Sequence, residues 1–128
     1  KIFDAENLWK YQVRIYQEFG AKHCGVDVMK RWLLTQTDDM VDWMFGSKVL
    51  SNTDLQKVAS GELVKIGPAD AVKKVAGVGI SKIGVLLKMN SMLMACNKAE
   101  RIGKNIPKKY NENAIKNWEK RLLSIYGK

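Results

Sequence analysis

Apolar residues recur three and four apart along almost the whole of this sequence, and no stretch alternates convincingly between apolar and polar positions. The first pattern belongs to the buried face of a helix, and the second is what a half-buried strand would need. The chain is therefore expected to be all-α, a single-domain bundle of about five helices over residues 1–128. Its 128 residues, 46% of them hydrophobic, suffice for a core and are too apolar for a disordered basic tail.

The helix limits follow from local chemistry. Asp4 caps a first helix with Leu8, Tyr11, Ile15 and Phe19 on one face and Trp9, Val13 and Tyr16 in a second apolar row, so burial on more than one side is expected. Gly20 is one place for it to stop. Continuation through Gly25 costs about 1 kcal/mol per interior glycine. The pattern resumes with Met29, Trp32, Leu33, Met40, Met44 and Phe45 and stops at Gly46, with Thr37 as the cap of a separate helix after residue 36. Ser51-Asn52-Thr53 offers the next N-cap, ahead of Leu55, Val58 and Leu63, and Gly67-Pro68 is a break. A further helix carries Val72, Val75, Ile83, Leu86, Leu87, Leu93 and Met94 to about Ile102, with Pro107 beyond it. Asn111 or Asn113 caps the last, with Ala114, Ile115, Trp118, Leu122 and Ile125 inward and Lys116, Lys120 and Arg121 outward.

Two regions could carry function. The stretch from Val75 through Gly77, Val78, Gly79, Ile80, Lys82, Ile83, Gly84, Leu86, Leu87 and Lys88 is apolar, glycine-rich and almost free of acid. Its glycines remove bulk and suit close helix approach or entry between lipid headgroups. Its lysine stems can reach up to phosphates from an interfacial helix. The alternative is the central helix of the bundle. A third reading takes Ala76-Gly77-Val78-Gly79 as the turn of a helix-hairpin-helix DNA-binding module, presenting backbone N–H groups to a phosphate, although the proline often found before the first glycine is replaced by Ala76. That reading predicts duplex binding that weakens steeply with salt.

The second region is basic. Residues 1–60 hold 8 basic and 8 acidic groups, whereas residues 98–128 hold 9 and 3. The formal charge of +9 thus lies in the second half, and Lys73, Lys74, Lys82, Lys88, Lys98, Arg101, Lys104, Lys108, Lys109, Lys116, Lys120 and Arg121 are the candidate binding cations. Such a surface meets nucleic acid, anionic lipid or acidic glycan. The aromatic residues lie mostly in the amino-terminal half, away from this set, which argues against stacking of single-stranded bases and makes nucleic acid an unexpected partner.

Catalysis has little to work with. The one histidine, His23, excludes a zinc site needing two histidine ligands within the chain, and its neighbour Cys24 is better read as a packed cysteine than as a nucleophile. No catalytic, metal or cofactor site is expected. Cys96, in an apolar run, is expected in the core, and a Cys24–Cys96 disulfide stays open if the compartment is oxidising. No 18-residue apolar stretch is free of charge, since Lys82, Lys88 and Asn90 interrupt residues 75–96. The start at Lys1, with no charged-then-apolar leader, is expected of a chain whose secretory signal has been removed.

Several short stretches resemble a known family. Val28-Met29-Lys30-Arg31-Trp32-Leu33 is similar to a valine–lysine–tryptophan–leucine stretch late in the first helix of the abalone sperm acrosomal proteins, lysin and its fusagenic paralogue. Lys104-Asn105-Ile106-Pro107-Lys108-Lys109-Tyr110, a following helix and the terminal Tyr126-Gly127-Lys128 resemble the family's carboxyl end, and Gly67 before a short helix also fits. The resemblance implies a secreted, non-enzymatic protein of the sperm acrosomal vesicle, a monomer or weak homodimer, with one long first helix through Gly20 and Gly25. Its partner would be an anionic membrane surface, perturbed to promote gamete fusion, or an egg-surface glycoprotein, bound so that the vitelline envelope dissolves. The glycine-rich apolar segment, and the lack of a residue-by-residue counterpart of lysin's basic tracks, place the chain nearer the fusagenic paralogue.

Overall fold

A computed structural model describes residues 3–47, 49–60 and 83–127, without the side chains of residues 55, 58 and 59. Among the described residues the chain is all-α. Helix α1 (Ala5–Ile15) passes through a single π-helical segment (Tyr16–Gly20) into α2 (Ala21–Leu33), followed by α3 (Asp38–Gly46), α4 (Asn52–Ala59), α5 (Ile83–Lys104) and α6 (Glu112–Ile125). Gly20 keeps right-handed helical angles, so α1, the π segment and α2 form one rod through Gly20 and Gly25. The hairpin Ala76–Gly79, the break at Gly67-Pro68, and Lys73, Lys74, Val75, Gly77, Val78, Gly79, Ile80 and Lys82 lie outside the described residues.

Helix starts follow the side chains that can satisfy orphan N–H groups. Asp4 accepts from Asn7 N at 2.8 Å, Thr37 from Met40 N at 3.4 Å and Asn111 from Ala114 N at 2.9 Å. At α4, Ser51 Oγ accepts from Asp54 N at 3.2 Å while the Asp54 carboxylate accepts from Ser51 N at 2.9 Å, a reciprocal capping box with Asp in the usual Glu position.

The π segment decides which face of α1 is buried. Spacings of three and four, run backwards from Val28, Cys24 and Ala21 on α2, would reach Gln17, Arg14 and Lys10. One extra residue in the segment moves the inward row to Tyr16, Val13 and Trp9, which pack on the core. This corrects the expected burial of the row Leu8, Tyr11, Ile15 and Phe19: Ile15 is half-buried, and the other three are exposed, Tyr11 at 67%.

The core is built on α2 and α5, which run antiparallel. Gly103 faces Ala21 and Cys24, Cys96 lies against the backbone of Met29, and Met89 shares a cluster with Leu33. A methyl group on Gly103 would stand 2.9 Å from Ala21 Cα and 3.2 Å from Cys24 Sγ, so the bare glycine lets the helices touch. Around this pair gather Val13, Val26, Val28, Met92, Ala99, Ile102, Ile106, Trp118 and Leu122. A second cluster of Met44, Val49 and Met89 docks α3 on the amino-terminal half of α5, and Trp32 and Leu33 pack against both. Helix α6 is held by Trp118, whose indole Nε1 donates to Ile102 O at 2.7 Å and whose ring meets Tyr16 edge-on at 5.0 Å. Both cysteines are free and buried. Their neighbours on the facing helices, Gly103 for Cys24 and Met29 for Cys96, set them five to seven residues apart along the helices, about 8–10 Å, and they are not bonded. Burial pushes the Cys96 thiol up to about 11 and raises that of Cys24, so neither forms a ready thiolate.

Candidate membrane-binding surface

Helix α5 has two opposed faces. Met89, Met92, Cys96, Ala99 and Gly103 are buried, spaced three and four apart. On the other side Ile83, Leu87, Met94, Lys98 and Arg101 fall within one stripe of the helix and all are exposed, Leu87 at 63% and Met94 at 65%. The stripe is cationic in its second half and mostly apolar in its first, where exposed Asn90 stands between Leu87 and Met94; Lys88, also exposed, lies off the stripe, about 80° round the helix from Lys98. Neither Lys88, Lys98 nor Arg101 makes an ion pair among the described residues, whereas Lys104 is held by Glu100 at 2.7 Å and is a weaker cation for a partner.

Gly84 corrects a sequence expectation. Of its two expected roles, room for a close helix neighbour and entry between lipid headgroups, the first is not met: among the described residues nothing lies within 4 Å of an added Cβ. The glycine of α5 that admits a neighbouring backbone is Gly103, in the basic region, which the sequence reading passed over. The signal available for it was its place four residues after Ala99 and seven after Cys96, on the apolar row. Of the glycine-rich segment's apolar candidates, Leu86 is half-buried against the Met44–Met89 cluster, and Ile83, Gly84 and Leu87 are exposed.

The remaining basic candidates are also exposed: Lys108 and Lys109 in the connection before α6, and Lys116, Lys120 and Arg121 on it. Lys116, Lys120 and the exposed Leu123 share a face of α6, a smaller version of the pairing on α5. The separation of aromatic and basic residues seen along the chain does not survive folding. The Trp9 indole donates to Pro107 O at 2.6 Å, and its ring lies 6.5 Å from those of Tyr110 and Trp118. An aromatic cluster therefore sits beside Lys108 and Lys109. His23 is exposed, edge-on to Phe19, and Cys24 points into the core. Among the described residues no group of three or more His, Cys, Asp or Glu could hold a metal ion, and no helix is long and apolar enough to cross a membrane.

No protein-family model and no solved structure matches the chain. Among curated proteins, a digeranylgeranylglycerophospholipid reductase of Sulfolobus acidocaldarius is 21% identical over 123 residues, which are 96% of this chain and 26% of that protein. The chain spans about a quarter of the length of the protein it matches, and at that identity the likeness assigns no activity.

Proposed function

We propose that this chain is a secreted, non-enzymatic protein that binds anionic membranes through the outer face of α5 and perturbs them. The observation that supports this reading is the sharing of one helix face by Ile83, Leu87 and Met94 with Lys98 and Arg101. Burying exposed leucine and methionine surface contributes about 1–2 kcal/mol per side chain. Each cation near an anionic surface adds about 1 kcal/mol. Together these amount to roughly the affinity of one acyl chain, so attachment is reversible and salt-sensitive. Lys88, Lys116 and Lys120 add to the field. On the family resemblance, we further propose that the protein acts from the sperm acrosome and promotes gamete fusion. The test is leakage and lipid mixing of vesicles containing phosphatidylglycerol at low salt. Native protein is expected to act on them and to spare zwitterionic vesicles, and Leu87→Gln with Met94→Gln is expected to remove the effect. No action on anionic vesicles sinks the reading.

A second reading, lysin-like binding of an egg-surface glycoprotein, is favoured by a different feature: the exposed Leu8 and Tyr11 on α1 and Phe19 in the π segment, an apolar patch suited to a protein partner or a homodimer. Purified envelopes that dissolve while vesicles stay intact select it.

A further inference from the structure

A recess of about 380 Å³ opens between the start of α1 and the connection to α6, lined by Glu6, Lys10, Lys108, Lys109 and Tyr110. Three features set it apart from a scatter of surface lysines. Its walls are fixed from behind: the Trp9 indole ties Pro107 O to α1 at 2.6 Å, Ile106 is buried, and the Asn111 cap sets where α6 begins. Its cations are available, because Lys10, Lys108 and Lys109 make no ion pair among the described residues, and the nearest restraint is a 3.3 Å hydrogen bond from Lys10 Nζ to Asn7 Oδ1. Its floor mixes an aromatic ring and a carboxylate with them. Tyr110, 40% exposed, is held edge-on to Trp9.

We propose that this recess binds an acidic, sulfate-bearing oligosaccharide. Three separate ammonium groups suit sulfates dispersed around a sugar, each lysine acting as a point charge. The negative face of the tyrosine ring attracts the C–H bonds of a sugar ring. Glu6 accepts hydrogen bonds from sugar hydroxyls, an interaction a purely cationic site for a phosphate headgroup would not offer and one that opposes a dense anionic surface. The volume is at the small end of the range for ligand pockets, enough for a short saccharide. This site stands apart from the membrane reading, which rests on α5.

The experiment is calorimetric titration of the full chain with a heparin-derived tetrasaccharide, with neutral maltotetraose as comparison. Lys108→Gln with Lys109→Gln is expected to weaken heparin binding by about tenfold or more, the scale of two lost charge-assisted contacts. Lys10→Gln, on the opposite wall, repeats the effect at about threefold to tenfold, and Tyr110→Ala costs about threefold without changing the salt dependence. Lys22→Gln with Lys30→Gln removes the same charge elsewhere and is expected to cost no more than about twofold. Circular dichroism and a thermal melt establish that each variant is folded. Equal losses in the two double variants overturn the proposal, as do native-like binding by Tyr110→Ala or equal binding of maltotetraose. In parallel, binding of Lys108→Gln, Lys109→Gln to phosphatidylglycerol vesicles should stay within about twofold of native. A tenfold loss there, with no heparin binding by the native chain, reassigns the recess to lipid headgroups and overturns the saccharide site.

Discussion

The two halves of α5 contain the same kinds of residue and do opposite things with them. Toward the carboxyl end Gly103 presses against Ala21 and Cys24, Cys96 lies against Met29, and small side chains let two backbones meet. Toward the amino end an added Cβ at Gly84 meets nothing among the described residues, and Leu87 and Met94 are exposed. Both halves bury one face, the amino half on Met44 and Val49, but only the carboxyl half brings two backbones together, and the outer face of the amino half presents apolar surface. A glycine in an apolar helix is therefore a structural contact in one place and only a loss of helix propensity in the other.

Mutations can break or sharpen this contrast. The largest effect is expected at the tightly packed end. Trp118→Ala empties the site beside Ile102 and leaves Ile102 O without its indole donor, destabilising the fold by about 3–5 kcal/mol in urea unfolding. Gly103→Ala forces a methyl against Ala21 Cα and is expected to cost about 1–3 kcal/mol, even though alanine is the better helix former. Gly84→Ala, the same substitution in the other half, should instead stabilise by up to about 1 kcal/mol. Equal signs for these two glycines would refute the division of α5. The smallest effect is expected for Leu87→Gln with Met94→Gln, where unfolding free energy stays within about 0.5 kcal/mol of native because neither side chain is in the core. A large loss there would show that the outer face is part of the fold and not a free surface.

Much of what depends on near neighbours was legible in the sequence, but the π segment was not, and with it went the inward face of α1. Asp4, Thr37, Ser51 and Asn111 cap their helices because their partners lie three residues on. The outward Lys116, Lys120 and Arg121 and the buried Cys96, Trp118 and Leu122 also followed from periodicity. What depends on distant parts of the chain was not. Gly84 and Gly103 look alike until the position of Ala21 is known. The meeting of Trp9 with Pro107 and Tyr110 joins residues 98 or more apart, and no local pattern encodes it. The candidate surface was legible in its residue types and not in its layout. The sequence named lysines and apolar residues of one region, and only the helix orientation showed which of them share a side.

The π segment also bears on how the protein tolerates changes in length. Loops ordinarily absorb insertions and deletions, whereas here the slack for a deletion lies in the middle of an unbroken rod. Removing one residue after Tyr16 and up to Gly20 leaves Tyr16, Val13 and Trp9 four, seven and eleven positions before Ala21, the spacing of an ordinary α-helix, so the same row stays inward and Trp9 keeps its place beside Pro107. An added residue at the same place has no such slack: it turns α1 by about 100° against the core and draws Trp9 away from Pro107, with the recess beside it. This rod therefore tolerates being shortened by one residue better than being lengthened by one.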